Sequence, residues 1–286
     1  MEKKNIFIVC STPTIAVASA ISQTIACHGF NVILQCEDDA DVRKASEEIQ
    51  KLLSEKVASQ EISQDDADAA IKSIETTTDI SGVRAADIII ESVFENEDLK
   101  LQMLADIDAI CSPDAIIATN TSSLTVTHLA SVNERPERIV GMHFIYFSPV
   151  LKVVEIAGGI KTSKDAVEAV RQFAADIGME AVMAEDAPGL LSTRIWMVHL
   201  NEAANNVFNK LVEAQSLVKM NRTISPKALS ILESADFIGL DNCVAWMQNL
   251  YNAYGDPKYL PSPLLTQMVD AGQLGIKSGK GFFSYS

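Results

Sequence analysis

The sequence predicts an α/β protein: a doubly wound, mostly parallel sheet followed by a second, all-helical C-terminal domain. Three observations carry this. Through about residue 185, apolar runs of strand length alternate with segments of helical period. The strand runs are almost continuously apolar, as strands covered on both faces must be. After Ala187-Pro188-Gly189 the strand-type runs stop and the pattern turns helical. The expected domains are therefore residues 1–186 and 187–286.

Strand candidates in order are Asn5 to Cys10, Asn31 to Gln35, Asp87 to Ser92, Ala115 to Ala118, Arg138 to Phe144, Leu151 to Ile156 and Glu180 to Met183. Helical stretches between them include Pro13 to His28, Glu97 to Ile110 and Lys164 to Ile177. The span Asp38 to Ile74 is too long for an ordinary crossover and rich in Glu, Asp, Lys and Gln, so it reads as a helical hairpin projecting from the sheet. Beyond Gly189 the helical candidates are Leu190 to Leu211, Ser225 to Ser234, Cys243 to Tyr254 and Pro263 to Ala271. In the first of these, Leu191, Ile195, Val198 and Ala203 read as a buried stripe.

The 286 residues are 48% hydrophobic and 21% charged, ordinary globular material. A formal net charge of −15 repels phosphate polymers and anionic lipid, so neither nucleic acid nor a membrane surface is an expected partner. Cys10, Cys27, Cys36, Cys111 and Cys243 are odd in number and scattered, without metal-ligand spacing; this predicts no disulfide framework, no metal, and a reducing, cytoplasmic setting. Lys3-Lys4 and Ala16-Val17-Ala18 superficially resemble a signal peptide, but Ser11 to Thr14 interrupt the apolar run, so the segment reads as mature structure.

The first strand runs straight into a helical segment through Cys10-Ser11-Thr12-Pro13-Thr14-Ile15. Such a turn can hold a dinucleotide pyrophosphate on the helix's free N–H groups. Cys10, Thr12 and Ile15 occupy the three places where G-x-G-x-x-G has glycine, which puts Cβ atoms where backbone would approach phosphate. Pro13 removes one donor.

His143 ends the strand beginning at Arg138, the end at which ligands bind in doubly wound sheets. Glu155, in the next apolar run, is expensive to bury alone; pairing with His143 would offset that cost and make a general base. The alternative is a solvent-facing Glu155 and a hydrogen-bonded structural His143. His28, His128 and His199 read as structural. Asn120-Thr121-Ser122-Ser123 follows another strand; Ser122 reads as ligand-facing and Ser123 or Thr121 as a cap for a helix starting at Leu124. Glu91 to Glu95 with Lys100 reads as a solvated helix start with an exposed charge pair.

Glu91-Ser92-Val93-Phe94-Glu95-Asn96, Ala118-Thr119-Asn120-Thr121-Ser122-Ser123-Leu124, Gly141-Met142-His143-Phe144, Pro149-Val150-Leu151-Lys152-Val153-Val154-Glu155, Ala187-Pro188-Gly189, Asp236-Phe237-Ile238-Gly239-Leu240-Asp241 and Lys277-Ser278-Gly279-Lys280-Gly281-Phe282 form a colinear series. Together they resemble the 3-hydroxyacyl-CoA dehydrogenase family, most closely its short bacterial 3-hydroxybutyryl-CoA members. The resemblance implies a Rossmann-type NAD-binding domain, an acyl-CoA substrate drawn from fatty acid metabolism, and a homodimer through the helical domain. By the same resemblance His143 takes the proton of the 3-hydroxyl, Glu155 orients the imidazole, and Ser122 bonds the reacting oxygen. Glu95, Lys100, Asn120 and Lys277 fall on cofactor-side positions.

The sequence departs from the family at several places. Cys36 replaces the acidic residue at the end of the second strand, with Glu37 adjacent. The family's H-F-F-N-P reads His143-Phe144-Ile145-Tyr146-Phe147. Thr193 stands for a substrate-binding Asn, and Ser59 and Glu61 for lysines that meet CoA phosphates. Two further readings therefore stand beside the dehydrogenase: a non-catalytic paralogue that scaffolds a partner, and a cofactor-independent acyl-CoA hydratase or hydrolase using the His–Glu pair. The apolar pattern Val244, Trp246, Met247, Leu250 is the only local support for a dimer face, and fits internal core equally.

Overall fold

The computed structural model describes residues 4–146, 152–226 and 228–285. Two compact units divide them. The first runs to Asp186, except that Ser122–Leu124 and Tyr146 group with the second, which begins at Ala187.

The first unit is built on one eight-stranded sheet. Its strands are β1 (Asn5–Cys10), β2 (Asn31–Gln35), β3 (Ile74–Thr77), β4 (Ile88–Ser92), β5 (Ile116–Thr119), β6 (Ile139–Phe144), β7 (Val153–Gly158) and β8 (Glu180–Met183). They lie in the order β3-β2-β1-β4-β5-β6-β7-β8, so the direction of winding reverses between β1 and β4. Each of β1, β4, β5 and β6 is buried along nearly its whole length, which explains why these runs lack polar alternation. All pairs are parallel except β6–β7. The stretch from Phe144 to Val153 is too short for a crossover helix, so β7 returns antiparallel beside β6.

Helices α1 (Ile15–Cys27), α2 (Asp39–Ala58), α3 (Gln64–Lys72), α4 (Glu97–Ile110), α5 (Val126–Leu129) and α6 (Lys164–Asp176) connect the strands. α2 and α3 occupy the span expected as a projecting hairpin, but Ala45, Ile49, Leu53, Ala67 and Ala70 belong to the main core, so both helices pack onto it. Asp38 caps α2 by accepting from the Ala40 and Asp41 N–H groups, and Ser63 with Asp66 forms a capping box on α3. The core joins Ile6, Ile8, Leu34, Ile88, Ile90 and Val140 of the strands to Ile15, Ile21 and Ile25 of α1, among others.

Several boundaries differ from expectation for identifiable reasons. β3 was hidden inside the hairpin because Ile74-Glu75-Thr76-Thr77 has no apolar run; it is a half-exposed edge strand held by backbone pairing to β2. The helix expected from Pro13 opens with a 3₁₀ turn at Thr12–Thr14. The one expected at Leu124 starts at Val126, because Thr125 is its cap and accepts from the His128 N–H at 3.3 Å; neither Thr121 nor Ser123 caps it. Of the strand expected over Leu151 to Ile156, Leu151 lies outside the described residues.

The second unit contains α7 (Ser192–Phe208), α8 (Ala214–Ile224), α9 (Ile231–Ile238), α10 (Leu240–Tyr254) and α11 (Pro263–Asp270). Of the expected stripe on α7, Ala203 is in the core and Val198 packs against it, but Leu191 and Ile195 do not join them. Leu191 is 52% and Ile195 64% exposed, while Thr193, Met197, Leu200 and Ala204 turn inward at spacings of four, three and four. Polar Thr193 at the head of that inner stripe disguised it. α8 went unread because only Val218 among its residues is buried, and α9 begins at Ile231 because Ser230 and Glu233 form a capping box. On α10, Met247 and Leu250 are fully buried and Val244 and Trp246 pack against the same cluster, so the proposed dimer stripe is core. The glycine-rich C-terminal stretch is held by Asp236, whose carboxylate accepts from the Phe282 and Phe283 N–H groups and from the Tyr285 hydroxyl, each at 2.9 Å.

Candidate active site

The antiparallel register places His143 directly opposite Glu155. Facing residues of paired strands share one side of the sheet, so the two side chains meet: His143 Nδ1 lies 2.8 Å from Glu155 Oε2. Both are buried, at 2% and 1% exposure. A carboxylate there accepts from Nδ1–H, which fixes the tautomer and leaves the Nε2 lone pair as the basic atom. The pair can take a proton at Nε2 and hold the resulting imidazolium against the carboxylate. The solvent-facing reading of Glu155 is thereby removed.

Glu91, Glu95 and Lys100 form a buried network, not an exposed charge pair. Lys100 is 0% exposed; its Nζ lies 2.7 Å from Glu91 Oε1, 3.4 Å from Glu95 Oε2 and 3.1 Å from the Val93 carbonyl. Glu91 also accepts from the Val93 N–H at 2.8 Å and the Thr119 hydroxyl at 2.6 Å, and the Thr121 hydroxyl donates to Glu95 Oε1 at 2.6 Å. Burial alone would push the Lys100 pKa down, but the two carboxylates outweigh it and hold the pKa above the ordinary value. The sequence signal was available in Glu91, a carboxylate inside the run Ile88-Ile89-Ile90: a charge so placed requires a partner.

Asn120, at the end of β5, ties three strand ends together. Its Nδ2 donates to Ser92 Oγ at 3.1 Å and its Oδ1 accepts from the Phe144 N–H at 2.8 Å, beside His143. Ser11 Oγ accepts from the Phe94 N–H at 2.8 Å, fixing the turn after β1 to the end of β4.

That turn differs from the expectation of three obstructing side chains. Cys10 and Ile15 are buried in the sheet–helix core, so their Cβ atoms are turned away from the turn's outer surface. Only Thr12 stands exposed among the three. Its hydroxyl lies 2.8 Å from Glu37 Oε2 and 2.5 Å from Asp41 Oδ2. Cys36 is likewise buried, which leaves Glu37 as the first exposed carboxylate after β2.

In the second unit, Ser122 is buried and the neighbouring Ser123 hydroxyl accepts from Asn249 Nδ2 at 2.9 Å. The Thr193 hydroxyl is buried without a hydrogen-bond partner among the described residues, a cost that a bound polar group would relieve. Lys277 pairs with Asp241, Nζ to Oδ2 2.7 Å. Ser59 and Glu61 are exposed at the hairpin tip, with the Ser59 hydroxyl donating to Glu61 Oε1 at 3.1 Å. The remaining histidines fit structural roles: His28 Nδ1 lies 2.8 Å from the Thr24 carbonyl oxygen, His128 pairs with Glu97 at the surface, and His199 is exposed. Phe147, in the departure from H-F-F-N-P, lies outside the described residues, as does the Pro149-Val150-Leu151 part of its motif.

Residues 16–187 match the model of the 3-hydroxyacyl-CoA dehydrogenase NAD binding domain, and residues 189–285 that of the C-terminal domain. The first match begins just past the Cys10–Ile15 turn. A probable 3-hydroxybutyryl-CoA dehydrogenase of Bacillus subtilis is 36% identical over 272 residues, 93% of each chain. The 3-hydroxybutyryl-CoA dehydrogenase of Bradyrhizobium diazoefficiens is 31% identical, covering 93% of this chain and 91% of its own. Among solved structures, (S)-3-hydroxybutyryl-CoA dehydrogenase from Ralstonia eutropha superposes with a TM-score of 0.83 at 33% identity over 100% of both chains.

Replacing Lys100 with Met strands two buried carboxylates and should cost about 3–5 kcal/mol of stability. Adding Glu91→Gln to that variant should recover part of the loss. Urea unfolding reads both; a K100M loss within about 0.5 kcal/mol, the range of ordinary surface changes, would show that the charges are not buried as described.

Proposed function

The chain belongs to the 3-hydroxyacyl-CoA dehydrogenase family, and from that premise we propose that it is an NAD-dependent enzyme interconverting a 3-hydroxyacyl-CoA and a 3-oxoacyl-CoA. The observation that carries this reading is the His143–Glu155 hydrogen bond of 2.8 Å at the carboxyl end of β6. A non-catalytic paralogue would rest on the altered turn and the substituted nucleotide-side positions, but two of the turn's three substituted positions are turned into the core and Glu37 stands exposed beside the buried Cys36.

The residues fit a dinucleotide. Winding reverses between β1 and β4, which makes the crevice at their carboxyl ends the expected nucleotide site. Glu37 would take the adenosine ribose hydroxyls in place of a residue at Cys36, and its charge opposes a 2′-phosphate, favouring NAD over NADP. Glu95, Lys100, Asn120 and Lys277 would serve the nicotinamide side; Lys100 acts there by holding Glu95 and Glu91 in place. When bound, the cofactor supplies a hydride acceptor for the carbon that bears the hydroxyl.

The proton chemistry falls to the chain. His143 Nε2 takes the proton of the 3-hydroxyl while Nδ1–H donates to Glu155, whose charge stabilises the imidazolium. Ser122 donates to the reacting oxygen, and Thr193, whose hydroxyl has no hydrogen-bond partner among the described residues, serves the acyl thioester. In the reverse direction the imidazolium returns the proton to the 3-oxo group.

We place the enzyme in the cytoplasm, a reading supported by five free thiols, and propose a homodimer formed through the C-terminal domain. Exposed Leu191, Ile195, Leu211, Met220 and Ile224 support that interface now that the α10 stripe is accounted for as core. Sedimentation at micromolar concentration should give twice the 31.0 kDa chain mass; a monomer contradicts the dimer.

Consumption of NADH with acetoacetyl-CoA tests the activity. His143→Ala should lower kcat by about 10²–10⁴, and no turnover by the unaltered protein at millimolar NADH would contradict the reading. Thr12→Gly, which uncovers backbone at the one exposed glycine position, should tighten NAD binding roughly tenfold, the low end for a charge-assisted hydrogen bond. Ile15→Gly should instead lower stability and leave affinity no better. Calorimetry showing the opposite ranking would overturn the account of the turn.

A further inference from the structure

Cys10 and Cys36 are the two cysteines that the activity does not use and the fold brings together. β1 and β2 are parallel neighbours in the register Val9↔Gln35, and one step further along each chain stand Cys10 and Cys36. Their sulfurs are 3.8 Å apart. Facing residues on adjacent strands have backbones about 4.8 Å apart, inside the ~4.4–6.8 Å Cα separation that a disulfide spans. Closure requires the sulfurs to approach to ~2.05 Å by side-chain rotation together with a shift of the backbone at Cys10 and Cys36. The other cysteines sit beside other groups: Cys27 Sγ beside Gln23 Oε1, Cys111 Sγ beside the Arg135 guanidinium, and Cys243 buried in the helical core.

We propose that Cys10 and Cys36 are a paired oxidation site, closed to an intramolecular disulfide by a hydroperoxide, and that the bridge weakens nucleotide binding. Cys36 is the attacking sulfur. The Cys10 S–H donates to it, which pushes the Cys36 thiol below its ordinary range although burial and Asp41, Asp38 and Glu37 oppose the thiolate; Cys10 is pushed up correspondingly. With hydrogen peroxide, the Cys36 thiolate attacks one oxygen, the O–O bond breaks, and the departing hydroxide takes up the proton that Cys36 released on ionising to become water. The Cys10 sulfur then attacks the Cys36 sulfenic sulfur, an S–S bond forms, and the second hydroxide leaves with the Cys10 proton as water. Two thiols lose two electrons and one peroxide is reduced to two waters.

The consequence for binding rests on reading the β1–β4 crevice as the dinucleotide site. Cys36 immediately precedes Glu37, and Cys10 precedes Ser11 and Thr12. The turn is braced by the Thr12–Glu37 and Ser11–Phe94 hydrogen bonds, 2.8 Å each. The part of the closure that side-chain rotation leaves over falls on the backbone at Cys10 and Cys36, and it pulls the adjoining Ser11-Thr12 and Glu37 away from the Thr12–Glu37 and Ser11–Phe94 contacts.

The test treats the reduced full-length protein with hydrogen peroxide, then denatures it, alkylates with iodoacetamide and weighs it intact. Five thiols are free in the reduced protein, so one bridge should leave three alkylated, with a Cys10–Cys36 crosslinked peptide after digestion. Cys10→Ser and Cys36→Ser should each abolish that peptide, whereas Cys27→Ser should not. Five alkylated thiols, or a bridge through Cys27 between two chains, would overturn the site. Calorimetry on reduced, oxidised and re-reduced protein should show NAD affinity falling at least tenfold on oxidation and returning with dithiothreitol. A bridge that leaves affinity unchanged refutes the effect on binding. Should the reduced protein bind no NAD at all, the dinucleotide reading fails, and the mass measurement still decides the oxidation site by itself.

Discussion

The hydrogen bond between His143 and Glu155 depends on one feature of the sheet, the antiparallel return of β7 along β6. Side chains alternate across a strand, so a slip of one residue would move Glu155 to the opposite face and leave a carboxylate and an imidazole buried without each other. Burial of both groups therefore enforces the register as strongly as the apolar residues around them. β6 is parallel to β5, so His143 lies at the carboxyl ends of the parallel strands, where doubly wound sheets bind their ligands, and the reversal brings Glu155 back to the same edge.

The surroundings of that pair are fixed by polar contacts between strand ends. Asn120 links β5 to β4 and to the backbone next to His143, and Lys100 holds two carboxylates that β4 and the loop after it would otherwise bury unpaired. These bonds carry little apolar burial, so their contribution is positional: they set where the loops leave the sheet. The turn after β1 follows the same logic in reverse. Its departures from glycine are absorbed by turning Cys10 and Ile15 inward, where they add to the core and leave Thr12 as the one of the three on the surface.

Much of this was legible from residues alone. β1, β2, β8 and α4 have the expected bounds because each is a continuous apolar run or a periodic segment with a clear cap. His143 and Glu155 were readable because a strand-end histidine and an intrastrand carboxylate solve each other's burial cost. β3 and α8 were not, since pairing and marginal packing form them without an apolar signature. The Glu91–Lys100 contact was misjudged as solvated for a different reason: nine residues apart in sequence, the two meet only because α4 folds back over the end of β4. On α7, Val198 and Ala203 fall on the core side as expected, and the first turn was misassigned because its inner residue, Thr193, is polar.

The central claim is that Glu155 holds His143 with its proton on Nδ1 and a bare Nε2. Long-range ¹H–¹⁵N correlation of selectively labelled histidine, above the pH at which the ring deprotonates, reads the tautomer directly. The account predicts the Nδ1–H form for His143 and its loss in Glu155→Gln. A neutral His143 with its proton on Nε2 would contradict it.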